Sequence, residues 1–238
     1  FPLNLYQTAV GKKWVMAVTG IMLLGFVVFH MLGNLKLYLG AVEHNGAFDY
    51  DANIYGEWLR DLLVPFLPRT VALWLLRGGL IVAFGLHIHA MYALTMMNQQ
   101  ANVTYSSKRD WTAATFASRS MRYTGVIVLA YLIFHLADLT WGFIPGYDYE
   151  RGHPHENVVG SLSNPVVAAF YIIANALLAM HIFHGAYSMF QSLGINNPAY
   201  NKLRRGFAAG VAGLILIGNV SFPIAVLTGI IDLSDKVK

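Results

Sequence analysis

Apolar residues run along this chain in five blocks, separated by polar loops. A bilayer core takes roughly 20 apolar residues per helix. The blocks cover about 14–38, 72–97, 122–144, 165–190 and 206–231. The first, WVMAVTGIMLLGFVVFHMLGNLKLY, has no charge before Lys36, and the last, GFAAGVAGLILIGNVSFPIAVLTGII, has none. All five are too long and too internal for a secretory signal. The pattern predicts an all-α polytopic membrane protein, a bundle of five transmembrane helices forming one domain over residues 1–238.

Composition narrows the class. Only 12% of the 238 residues are charged, against about 25% in soluble domains. A soluble globule is thereby excluded, and 56% hydrophobic content excludes disorder. With no cysteine, disulfides and metal centres held by the chain's own thiolates are excluded too. The chain opens at Phe1 rather than Met, so a leading segment is expected ahead of it.

The few charges divide by side. The side with the N-terminus and loops 98–121 and 191–205 holds nine bases, among them Lys12, Lys13, Arg119, Arg204, Arg205 and Arg122 at a span edge, against one acid, Asp110. Basic loops stay cytoplasmic, so the N-terminus is predicted inside. The net charge of +4 is then a topology signal, with no nucleic-acid partner required; the basic loops suit lipid head groups or an acidic partner surface. Trp14, Tyr38, Trp74, Trp141 and Tyr147 fall where interfacial anchors belong. Segment 39–71 is expected to lie on the membrane surface with no chemistry of its own, and residues 1–10 along the inner interface or against a partner.

Spans one and three repeat at an offset of 105: Met16, Thr19, Gly20, Phe29 and His30 recur as Met121, Thr124, Gly125, Phe134 and His135. Spans two and four also correspond, LHIHAMYAL beside MHIFHGAYS, which sets His87 opposite His181. Repeated helix pairs are a common way to build a membrane site.

Six histidines lie in apolar spans: His30, His87, His89, His135, His181 and His184. A single one is as readily a packing residue bonded to a carbonyl. One on each of four helices points to function, because ionisable groups at membrane depth are costly. At about 1.5 Å per residue, His30 and His135 fall roughly 20–24 Å from the inner ends of their spans, and His87 and His181 roughly 15 Å or less. Two bis-imidazole sites at two depths suggest two b-type haems and electron transfer. Gly33 and Gly185, one turn from ligands, would let a flat macrocycle approach, or serve helix packing.

Other polar groups carry alternatives. His89 and His184 lie on different faces from their neighbours. They can bond haem propionates, relay protons, ligate instead, or hold a Rieske-type cluster with borrowed cysteines. Arg77 suits a haem propionate, and Asp138 a proton or an ion pair with Arg77; both also read as interfacial charges. His44, His153 and His155 are expected to be solvated.

The stretches FHMLGN around His30, ASRSMRYTG leading to IFHLADLTWG, LHIHAMYALTMMN and MHIFHGAYSMFQSLGI resemble the cytochrome b subunit of succinate dehydrogenase and fumarate reductase. The similarity is to the single-chain, five-helix, dihaem type, from about Val10 to the final helix. It implies axial iron ligands at His30, His87, His135 and His181, the first and third outer, the second and fourth inner. Gly185 followed by LGI selects His181 over His184, and the LTMMN ending selects His87 over His89. It also implies a complex, respiratory complex II of the tricarboxylic acid cycle. A flavoprotein subunit oxidises succinate and an iron–sulfur subunit carries the electrons. This chain would anchor both in a bacterial cell membrane and reduce a quinone. The extra histidines leave open one haem, or an inner iron–sulfur centre with ligands borrowed from a partner chain.

A quinone needs a donor for each reduced oxygen. Trp14, Ser118, Arg119 and Arg122 can supply that at the inner face, with Asp138 and Trp141 the outer alternative; the arginines equally serve topology and phosphate contact. In a different class stands a haem-free anchor or transporter whose histidines relay protons.

Overall fold

The computed structural model describes residues 6–104, 116–195 and 197–234, with the side chains of 101–104 and 116–119 outside the described set. Among the described residues the chain forms seven α-helices and one hairpin. We label them α1 (Ala9–Asn34), β1 (Ala41–His44), β2 (Ala47–Tyr50), α2 (Asp51–Arg60), α3 (Val71–Thr104), α4 (Phe116–Leu139), α5 (Pro154–Leu162), α6 (Pro165–Ser192) and α7 (Asn201–Leu227). Five helices, α1, α3, α4, α6 and α7, are long and apolar enough to cross a membrane. The protein is an all-α polytopic membrane protein, as the block pattern predicts.

Span ends shift from the predicted ones for local reasons. α4 stops at Leu139 rather than near 144, and Gly142 beyond it has φ 64°, a left-handed conformation that breaks a helix. α6 opens on Pro165 at its first turn and closes before Gly194 at φ 87°. α7 begins at Asn201, five residues before the apolar block, behind a short 3₁₀ turn capped by the Asn197 side chain.

Outward faces of the spans are apolar: Phe29, Ile81 and Ile217 are each more than 70% exposed. In water that surface would be untenable, whereas lipid solvates it.

The chain divides into two compact units, each described by itself. One comprises Phe1–Val27, Arg77–Gly125 and Met180–Ala212. Its buried hydrophobic residues are mostly alanines, among them Ala17, Ala83, Ala90, Ala186 and Ala208, small enough for helix backbones to approach closely. The other comprises Val28–Leu76, Val126–Ala179 and Gly213–Lys238, with a core of larger side chains that includes Leu37, Leu162, Tyr171, Phe222 and Ile231.

Segment 39–71 is more structured than a surface strip. Asn45 and Gly46, both at positive φ, form the two-residue turn that joins β1 to β2, with Ala41 opposite Tyr50. α2 follows, with Asp51 in its first turn and Arg60 in its last, each complementing the helix dipole. Asn53 of α2 donates to Asp49 and to Glu156 of α5, and its side-chain oxygen takes the His155 backbone N–H.

Candidate functional site

Four of the span histidines divide two and two between the units. In the first unit, α3 brings His87 against α1: its Nδ1 lies 3.1 Å from the Met16 carbonyl and 3.2 Å from Thr19 Oγ1. A carbonyl oxygen only accepts, so Nδ1 carries the proton and Nε2 keeps its lone pair. α6 brings His181 against α4 in the same manner, with Nδ1 3.3 Å from Thr124 Oγ1 and bonded to the Met121 carbonyl. Gly20 and Gly125 complete the two seats. A methyl on either would stand 3.4 or 3.5 Å from the Cε1 of His87 or His181, so each ring rests almost on helix backbone. The repeated residues Met16, Thr19 and Gly20, and Met121, Thr124 and Gly125, are therefore equivalent seats for equivalent histidines. His181 is also within electrostatic reach of His87 and His184.

In the second unit His30 of α1 faces His135 of α4, ring centroids 6.0 Å apart and planes nearly perpendicular at 87°. The rings of Tyr131 and Tyr171 flank His135 at 5.9 and 6.1 Å. His135 Nδ1 is buried with no hydrogen-bond partner among the described residues.

One turn beyond lies Asp138, fully buried. Its Oδ2 accepts from Ser161 at 2.6 Å and from Tyr171 at 2.8 Å. Tyr147 donates to its backbone carbonyl at 2.8 Å, with Oδ1 3.2 Å away. Two hydroxyls thus converge on one oxygen of this carboxylate, and Arg77 lies exposed. Burial, and then the Asp138 charge, push the Tyr147 phenol up, so it stays a neutral donor. Asn175 donates to Tyr131 Oη at 3.1 Å and to the Tyr171 carbonyl at 2.9 Å, and Asn219 donates to Asn175 Oδ1 at 2.9 Å. Sequence reasoning missed this network. Its signal was available in the two asparagines, which stand alone in apolar spans.

The remaining predicted residues are dispersed. His89 is exposed and bonds Tyr6 Oη at 2.5 Å; His184 lies edge-on to Phe183. Trp14 is about half exposed and Arg122 exposed, while the side chains of Ser118 and Arg119 lie outside the described residues. Trp141 is exposed against Phe143. Gly33 gives no face to a flat ligand, since a Cβ there would meet the Tyr55 ring at 2.9 Å; at Gly185 nothing stands within 4 Å. His155, expected in solvent, is 1% exposed. Its ring stacks on Tyr50 at 3.7 Å and 2°, and its Nε2 donates to the Asp232 carbonyl at 3.0 Å.

The donor sets suit haem. Two imidazoles on opposite sides of one metal, each bonded at about 2 Å with about 1.1 Å from nitrogen to ring centre, have centroids roughly 6 Å apart. The His30–His135 spacing of 6.0 Å matches. The orphaned His135 Nδ1 is the kind of buried polar atom that calls for a further partner. His87 and His181 each fix Nδ1 on a carbonyl, as metal-ligating histidines do. Among the described residues no three of His, Cys, Asp and Glu converge as metal ligands.

Fold and site together define a polytopic helical membrane protein with paired, internally repeated histidines. The model of the succinate dehydrogenase/fumarate reductase transmembrane subunit family matches residues 96–220, a little over half of the chain. The chain belongs to that family, and is thus a membrane subunit of this oxidoreductase class. The match spans His135 and His181 and begins beyond His30 and His87. No curated protein and no solved structure matches the chain.

Proposed function

We propose that this chain is the cytochrome b anchor of a succinate:quinone oxidoreductase in a bacterial cell membrane, N-terminus cytoplasmic. A flavoprotein and an iron–sulfur subunit dock on it, and it passes their electrons to a membrane quinone. His30 with His135, and His87 with His181, hold two haem b groups, which supply one-electron transfer when bound. The chain's own residues do the rest. Met16 and Met121 carbonyls hold the Nδ1–H of His87 and His181, so that Nε2 is the ligating nitrogen. Tyr131 and Tyr171 wall His135 with aromatic surface and keep water from it. Arg77 serves a propionate, and Trp14, Ser118, Arg119 and Arg122 receive the quinone.

The single observation that carries this reading is the duplicated seat. Two histidines on different helices dock by the same nitrogen on the same three residues, and one histidine on its own would not repeat the construction. It favours His87 and His181 over His89, whose Nδ1 meets a tyrosine hydroxyl instead. The test is a pyridine haemochrome assay on the purified complex. Two b haems per flavin are expected; none would overturn the reading in favour of a haem-free proton relay, and His87→Ala or His181→Ala with full haem content would overturn the ligand choice.

A further inference from the structure

Thr19 and Thr124 hold the same place in the two halves of the repeat, and both are buried, 5% and 2% exposed. Thr19 Oγ1 donates its proton to the Val15 carbonyl at 2.7 Å. Thr124 Oγ1 donates to the Ser120 carbonyl at 3.0 Å. With its proton spent inside its own helix, each hydroxyl presents a lone pair to the imidazole Nδ1–H, 3.2 Å away at His87 and 3.3 Å at His181. Each Nδ1–H therefore meets two acceptors, a backbone carbonyl that no substitution removes and a hydroxyl that one substitution does. A threonine turned back on its helix needs no partner from outside it. Two such threonines, in register 105 residues apart and each against a histidine, are explained by a task shared by both.

We propose that Thr19 and Thr124 are positioning residues that tune one and the same redox centre, each by accepting from the Nδ1–H of the histidine it faces. The proposal rests on the reading of His87 and His181 as the two axial ligands of one haem. An acceptor on Nδ1–H gives the imidazole more anionic character and makes it a stronger donor to iron, favouring the oxidised form. Removing it shifts the balance to the reduced form.

Redox titration of the purified complex, followed by haem absorbance, tests this. Thr19→Val and Thr124→Val keep shape and remove the acceptor. Each is expected to raise the midpoint potential of the same one haem by about tenfold in the reduction equilibrium, or about 59 mV for one electron. The double variant adds the two shifts, the other haem keeps its potential, and haem content is unchanged. Thr19→Ser and Thr124→Ser keep the hydroxyl and the wild-type potential. If the valine variants lose the haem, the serine variants decide: a shifted potential with the hydroxyl present overturns the proposal, a retained one supports it. Unchanged potentials in the valine variants with both haems bound, or shifts in the other haem, also overturn it. Failure of the underlying reading looks different, since His87→Ala and His181→Ala would then keep both haems.

Discussion

Asp138 is the residue whose replacement discriminates most sharply among the polar groups of the second unit. Its Oδ2 takes two hydroxyl protons, from Ser161 and Tyr171, and Oδ1 faces Tyr147, all in a fully buried setting. Asp138→Leu has similar bulk and no acceptor. Ser161 and Tyr171 then lose their acceptor; Tyr147 keeps the backbone carbonyl. Each buried group left unsatisfied costs about 1–3 kcal/mol, so the sum for two is about 2–6 kcal/mol. Asp138→Asn behaves differently because it can turn. With its oxygen at the Oδ2 position it still accepts from Ser161 and Tyr171. Its NH₂ then faces Tyr147, whose own proton already goes to the backbone and whose lone pair can accept. What is lost is the ionic share of two hydrogen bonds, about 0.5–1.5 kcal/mol each, the gap between charged and neutral bonds. Thermal unfolding of the purified complex in detergent should therefore rank wild type above Asp138→Asn above Asp138→Leu, with Ser161→Ala close to Asn. Equal loss for Asn and Leu would refute the turning argument. No loss for Leu would mean that the carboxylate does not hold the network at all.

Two further substitutions follow from packing. Gly160→Ala places a methyl 2.8–3.0 Å from Cδ2, Cβ and Cγ of Tyr147, and a Cβ contact cannot be relieved by rotating the ring. It should cost about 1–3 kcal/mol of stability, and Tyr147→Gly in the same chain, which removes the Cβ as well as the ring, should recover most of that relative to Tyr147→Gly alone. His155→Phe keeps the stack on Tyr50 and loses the bond to the Asp232 carbonyl. It should lower the unfolding temperature less than His155→Ala does, and equal effects would mean the stack contributes nothing.

Element existence was legible because lipid imposes long apolar runs, and only helices satisfy their own backbone there. Orientations within the elements were half legible. The repeat named Met16, Thr19 and Gly20 as a set, and their contact with His87 could not be read, since periodicity fixes a face and not the helix it meets. Asn45-Gly46 is a strong two-residue turn signal, but the strands it joins are four residues each, too short for an alternating pattern to stand out. His155 was placed in solvent because it lies between spans. Its burial comes from long-range partners, Tyr50, Asn53 and Asp232, that share no sequence pattern with it. Gly33 suits either a flat ligand or packing, and the ring that fills its space belongs to Tyr55, 22 residues away.

The repeat also extends what the family match alone supports. That match covers α4, α5, α6 and most of α7, with the helix pair carrying His135 and His181, and leaves α1 and most of α3 outside. Yet α1 and α3 reproduce its construction point for point. A methionine carbonyl, a threonine and a glycine on the earlier helix seat a histidine from the later one, and a second histidine follows fourteen residues after the methionine. The two first helices then supply His30 and His135, which face each other, while the two second helices supply His87 and His181. Each pair draws one member from each half. On the proposed reading a duplicated helix pair would build two sites at once, because equivalent positions across a repeat offer matched partners. On the proposed haem ligation, loss of either half should therefore cost both centres, whereas a single ligand substitution costs one.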